Sequence, residues 1–104
     1  MKKEIIYDQN ALEELDQLDR DVQKCFAKYI ALLETDGRLE FPDARKITRD
    51  IFEIRVSQEG IYRGFYAYIS HPDIVILHFF QKKTNKTPSK AIKLAERRLQ
   101  KYAQ

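Results

Sequence analysis

Hydrophobic positions along the chain change period three times, from the 2 of strands to the 3.6 of helices, back to 2 and again to 3.6. Lys3-Glu4-Ile5-Ile6-Tyr7 is a short β-branched run closed by Asp8-Gln9-Asn10, which predicts a first strand. Leu12, Leu15 and Leu18 follow at helical spacing behind Asn10, read as an N-cap. Asp19 opens a second helix, whose Val22, Cys25, Phe26, Tyr29, Ile30 and Leu33 fall on one stripe. Thr35-Asp36-Gly37 closes it, with Gly37 free to turn left-handed. The two helices make a hairpin. Cys25 lies on its apolar side and reads as core, not as a nucleophile.

Residues 38–50 read as a polar connection. The pattern then alternates: Phe52, Ile54 and Val56 point one way, Glu53 and Arg55 the other. Ser57 to Gly60 is a turn, and Ile61 to Ile69 is the second arm of an antiparallel hairpin. Ile74 to Phe80 is apolar on both sides, as expected of a central strand covered on both faces. Thr87-Pro88 marks a helix start, with Thr87 as N-cap. The helix over Ser89–Tyr102 aligns Ala91, Ile92, Ala95, Leu99 and Tyr102 on one stripe, with Lys90, Lys93, Arg97 and Lys101 opposite. Strand, two helices, three antiparallel strands and a helix make an α+β domain.

The 104 residues fit one domain, 1–104, and 43% hydrophobic with 34% charged residues is a globular composition. The single cysteine excludes an internal disulfide, and no Cys/His cluster has zinc spacing, so no metal is expected. The longest apolar run, Ile74 to Leu77, falls far short of the roughly 20 residues that span a bilayer. The first residues lack the apolar stretch of a signal peptide, so a cytosolic protein without membrane contact is expected. There is no phosphate-binding glycine loop, dinucleotide turn or Ser-His-Asp set, and no cofactor is expected.

Charge sharpens the picture. Residues 1–36 carry a balance of −4, residues 37–73 are neutral, and residues 74–104 carry +7. A cationic C-terminal third attracts polyanions, above all a phosphate backbone. Arg55, Arg63 and the Lys82-Lys83 pair fall in or beside the predicted sheet, where two arginines and two lysines can surround one phosphate. The alternative is salt bridging to Glu53, Asp50 or Glu59, or plain exposure to solvent. Tyr62, Tyr66 and Tyr68 share the strand face opposite Arg63, while Phe79 and Phe80 precede the lysines; Phe65 and Phe79 read as core. Tyr62, Tyr66 and Phe80 are candidates for stacking unpaired bases, with Lys86, Lys90 and Lys93 as further RNA-binding cations. His78 shares a face with Phe80 and Lys82 by alternation and is a candidate acid or base, or a half-buried ring bonded to a carbonyl. Glu53 is a candidate base or a salt-bridge partner of Arg55.

Ile51-Phe52-Glu53-Ile54-Arg55, Ile61-Tyr62-Arg63-Gly64-Phe65-Tyr66 and the run from Leu77 through His78, Lys82-Lys83-Thr84-Asn85-Lys86-Thr87 to Pro88 strongly resemble toxins of the RelE/ParE superfamily, closest to its HigB-like, phage-derived branch. The lysine-rich segment is the most specific part. Gly64 departs from the usual larger apolar residue, and a locally loosened strand is expected there. The resemblance implies a RelE-like fold: a twisted antiparallel sheet packed against an N-terminal helical hairpin, with a C-terminal helix. It also implies a metal-independent endoribonuclease that cuts mRNA on the ribosome and is neutralised by a HigA-like helix-turn-helix antitoxin. Carried over, Arg55 and Arg63 would stabilise the transition state, and Lys82 or Lys83 would protonate the leaving oxygen. The base would be a lysine, His78 or Glu53. Two other classes stay open: a ParE-like protein that inhibits DNA gyrase, and a non-catalytic RNA- or ribosome-binding module.

Overall fold

The computed structural model describes residues 3–40, 42–69, 73–83 and 88–102. Its elements are β1 (Ile5–Tyr7), α1 (Gln9–Asp16), α2 (Arg20–Asp36), β2 (Ala44–Lys46), β3 (Phe52–Ser57), β4 (Ile61–Tyr68), β5 (Ile74–Lys82) and α3 (Ser89–Leu99). The strands form one sheet in the order β1-β5-β4-β3-β2. The antiparallel pairing expected from the sequence holds for β3 to β5; β2 adds antiparallel to β3, and β1 adds to β5 in parallel. The stripe of α2 packs Val22, Phe26, Ile30 and Leu33 onto Ile54, Val56, Tyr66 and Phe79 on one sheet face. Ala91 and Ala95 of α3 pack with Phe65, Ala67, Val75 and Leu77 on the other. Among the described residues no helix is long and apolar enough to cross a membrane.

Several local expectations change. The cap of α1 is Asp8, not Asn10: its Oδ1 accepts from the backbone N–H groups of Asn10 at 2.9 Å and Ala11 at 3.3 Å. Residues 44–46, read as connection, are an edge strand. Three residues with exposed Arg45 and Lys46 carry no periodic signal, and such cationic edges discourage pairing with other chains. The last helix stops at Leu99, with Ile92, Leu99 and Tyr102 still packed on the second core. Its expected cap Thr87 lies outside the described residues. Gly37 does close α2 left-handed, at φ 81°, with its N–H donating to the Leu33 carbonyl at 2.9 Å.

A bulge decides which way β5 faces. Phe65 pairs with His78 and Tyr66 with Ile76, leaving Leu77 as an extra residue. Ile74, Ile76 and Phe79 therefore face the helical hairpin, while Val75, Leu77 and Phe80 face the α3 side. Strict alternation from Ile74 would have sent His78, Phe80 and Lys82 under the hairpin. The extra residue turns them to the side that carries Arg63.

Among the described residues no strand lies beside the edge of β5 beyond Ile76, because β1 ends at Tyr7 and the chain turns into α1. Side chains take over its backbone groups. Glu14 Oε1 accepts the Phe79 N–H at 3.1 Å, and Arg98 Nη1 donates to the Leu77 carbonyl at 2.8 Å.

Gly64 is not a loose point. It is buried, in register with Ile54 and Phe79, and a Cβ there would stand 3.0 Å from Phe26 and 3.1 Å from Phe79. The space belongs to the edge-on Phe26–Phe79 pair, whose ring centroids are 4.8 Å apart. Gly64→Ala is expected to lower unfolding stability by about 1–3 kcal/mol through overpacking, measured by urea denaturation. An unchanged midpoint would show that the two rings yield freely.

Candidate active site

The α3-side face of the sheet continues past α3, and there the strands present cations. Register places Arg45 of β2 opposite Glu53 of β3, and Arg55 of β3 opposite Arg63 of β4. Phe80 of β5 lies opposite Arg63, and Lys82 opposite Ile61. Like charges directly opposite on a sheet are unfavourable, so the Arg55–Arg63 pair is a local cost that the fold retains. Glu53 offsets part of it. Its carboxylate is 1% exposed and lies 3.1 Å from Arg45 Nε and 3.3 Å from Arg63 Nε. Arg63 Nε makes no hydrogen bond despite its burial. Arg55 is exposed, with no ion-pair partner among the described residues.

Arg45, Glu53, Arg55, Arg63 and Pro42 line a small cleft of about 80 Å³. Burial lowers the Arg63 guanidinium below its usual range and the positive charges of Arg55 and Arg45 add to this, against the opposing pull of Glu53. Lys82 is lowered too, first by desolvation and then by Arg63, Arg45 and Arg55. Three guanidiniums and one ammonium around a single carboxylate leave an excess of three positive charges. An anion placed in the cleft would relieve the repulsion among these cations, and Arg63 and Arg55 have donors to offer it.

The sequence-predicted residues divide cleanly. Arg55, Arg63, Lys82, His78 and Phe80 come to one face, as expected. Glu53 is there as well, but as a buried counter-ion engaged with Arg45 and Arg63 rather than an open base. Tyr62 and Tyr66 lie on the opposite face, 8% and 1% exposed beneath the hairpin, where no base can stack on them. Their alternation away from Arg63 was read correctly; their availability was not. Lys83 is exposed just past β5, and Lys90 and Lys93 are exposed on α3. Lys86 lies outside the described residues. Among the described residues no cluster of His, Cys, Asp and Glu is suited to hold a metal ion.

Beside the cations, His78 and Phe80 stack at 5.0 Å between centroids. They form one wall of a cleft of about 350 Å³, with Ala91, Leu94, Lys90 and Arg97 of α3 on the other. Behind the wall His78 Nδ1 meets Glu14 Oε1 at 2.8 Å, a carboxylate rather than the carbonyl considered from the sequence. Arg98 Nη1 and Nη2 grip both oxygens of Glu14, at 3.0 and 2.9 Å. Asp8, fully buried, is joined by Lys101 Nζ at 3.1 Å and the Tyr102 hydroxyl at 3.1 Å. Sequence reading missed Arg45, Glu14 and Arg98. Arg45 sits in an aperiodic connection, and Glu14 reaches partners 64 and 84 residues away, so no local signal marks them.

The fold is that of the RelE toxins. It matches a variant of the E. coli toxin RelE in the free state with a TM-score of 0.68 at 20% identity, covering 89% of this chain and 97% of that one. It also matches a RelBE2 toxin–antitoxin complex chain from Mycobacterium tuberculosis (TM-score 0.60, 17% identity, 79% and 100% covered). A third match is an archaeal RelE–RelB complex chain from Pyrococcus horikoshii (TM-score 0.61, 20% identity, 80% and 98% covered). The chain belongs to the family described as "Phage derived protein Gp49-like (DUF891)", whose model matches residues 13–100. No curated protein matches it.

The carboxyl of Glu14 sets an acid limit on the fold. Burial alone would raise it, but hydrogen bonds from His78, Arg98 and the Phe79 N–H outweigh that and hold it at about 2 against an ordinary 4.5. Between those values the unfolded chain binds the extra proton, so the stabilisation is complete above pH 4.5 and is lost as pH falls toward 2. Glu14→Gln is expected to flatten the dependence of urea stability on pH in that window. A slope equal to that of the unsubstituted protein would place the acid sensitivity elsewhere.

Proposed function

We propose that this chain is the toxin of a type II toxin–antitoxin pair, of the HigB-like kind, and that it cuts mRNA on the ribosome. The observation that carries this reading is the convergence of Arg45, Arg55, Arg63 and Lys82 on one open sheet face around a single buried carboxylate. Such an excess of fixed donors suits a phosphate whose charge grows in the transition state. In the reaction the ribose 2′-oxygen attacks the adjacent phosphorus and the P–O5′ bond breaks, leaving a 2′,3′-cyclic phosphate and a 5′-hydroxyl. Arg55 and Arg63 take the charge on the non-bridging oxygens, with Arg45 beside them. Lys82, with its ammonium made more acidic by burial and by its cationic neighbours, gives the proton to the departing 5′-oxygen. Glu53 positions Arg63 and Arg45, and the base is His78. Phe80 and the α3 lysines Lys90 and Lys93 engage the RNA strand.

The partner is a helix-turn-helix antitoxin of the HigA kind with an acidic contact surface, and both act in the cytosol where messages are translated. Solved structures of the same fold are named as toxin–antitoxin complexes or as a RelE–RelB complex, which supports a protein partner of that class. A gyrase inhibitor would have no evident use for a phosphate-sized cationic cleft.

Arg55→Ala removes an exposed side chain without an ion-pair partner among the described residues, so the fold should persist. Growth inhibition on induction should vanish, and single-turnover cleavage on programmed ribosomes should fall by about 10²–10³-fold, as for loss of one oxyanion donor. Arg63→Lys keeps the charge facing Glu53 and is expected to cost similarly through the lost fork geometry. Mapping mRNA 5′ ends after induction checks the reading. In-frame cuts support it, DNA-damage signalling without cuts replaces it with gyrase inhibition, and neither leaves a binding module.

Lys82→Arg separates charge from chemistry. Ribosome affinity should hold, while cleavage slows because a guanidinium gives up its proton poorly. An equal single-turnover rate would remove Lys82 as the acid.

A further inference from the structure

We infer that Glu14 and Arg98 are positioning residues that set His78 Nε2 as the proton acceptor for the ribose 2′-hydroxyl; this rests on the nuclease reading above. The ring is held from two sides. Nδ1 faces Glu14 Oε1 at 2.8 Å, and the plane stacks on Phe80 with an interplanar angle of 20°. A carboxylate can only accept, so Nδ1 carries the proton and donates it. In the neutral imidazole Nε2 then keeps its lone pair, and it has no partner among the described residues. Carboxylate orientation of the far ring nitrogen is the arrangement by which a histidine base is fixed in one tautomer.

The position suits the reaction. His78 pairs across to Phe65, and Arg63 to Phe80, so His78 and Arg63 are diagonal neighbours on one face, typically about 7–8 Å apart. That spacing leaves room for a ribose between the ring and a phosphate held by Arg63 and Arg55. Nε2 takes the 2′-hydroxyl proton as the O2′–P bond forms, and Lys82 supplies a proton as P–O5′ breaks. The imidazolium produced faces the Glu14 carboxylate. The other charged groups around the ring are cationic: Arg63 from β4, Lys82 from β5, and Lys90, Arg97 and Arg98 from α3. Glu14 is thus the carboxylate that holds the ring in place.

Arg98 extends the device to α3. It binds both Glu14 oxygens and the Leu77 carbonyl at the bulge that turns His78 to this face. Docking of the last helix and readiness of the base are therefore one event.

The test uses the full chain with labelled histidines, in which His71→Asn identifies the His78 signals. Ring nitrogen NMR should show neutral His78 protonated at Nδ1 and bare at Nε2; the opposite tautomer overturns the inference. In Glu14→Gln, whose amide can both donate and accept, the fixed tautomer should be lost, and single-turnover cleavage on programmed ribosomes should drop at least about tenfold, within the range of general-base effects. Arg98→Lys should loosen the tautomer the same way, and it carries the test if Glu14→Gln does not fold. An unchanged tautomer and rate in folded variants overturn the inference alone. A wild-type chain that cuts no message removes the nuclease reading, and this role for His78 with it.

Discussion

One unpaired residue, Leu77, governs the geometry of the site. Everything before it in β5 follows the alternation set by β1 and the first core, and everything after it is turned over. A strand without the bulge would turn His78 and Lys82 beneath the helical hairpin, away from Arg63. With it, Phe79 fills the space under α2 that Gly64 leaves open, and His78, Phe80 and Lys82 join Arg63. Bulges commonly re-aim side chains next to active sites, and this one is fastened by the Arg98 donation to its own carbonyl.

The charge economy of the molecule has two separate centres. Around Asp8 and Glu14, buried and half-buried carboxylates are matched by Arg98, Lys101 and Tyr102, so part of the C-terminal positive excess is used to hold α3 against α1. Around Glu53 the match is deliberately short by three charges. Removing a buried carboxylate that serves two arginines would leave guanidiniums facing one another, so Glu53 holds the cations together while leaving them under-neutralised. Within one small domain, one cluster is close to neutral and the other carries a positive excess.

Much of the fold was legible in the chain because its signals are local. The stripe from Val22 to Leu33, the left-handed Gly37, the alternation of Phe52 to Val56 and the two-sided apolarity of β5 each depend on residues within a few positions of one another. They led to the right layers, and the order of cationic motifs led to the right face for Arg55, Arg63 and Lys82. The Gp49-like family and the RelE fold agree with the expected family and layers.

What only tertiary structure decided concerns partners distant in sequence. Whether a tyrosine opposite Arg63 meets solvent or a helix depends on where α2 lands, and it lands on Tyr62 and Tyr66. Whether Glu53 is a base or a counter-ion depends on Arg45, brought alongside by a three-residue edge strand too short to show periodicity. The surroundings of His78 depend on Glu14 and Arg98, near opposite ends of the chain. Periodicity reports which side of an element is apolar, but an ion pair is set by how elements cross, and that information exists only once the layers have packed.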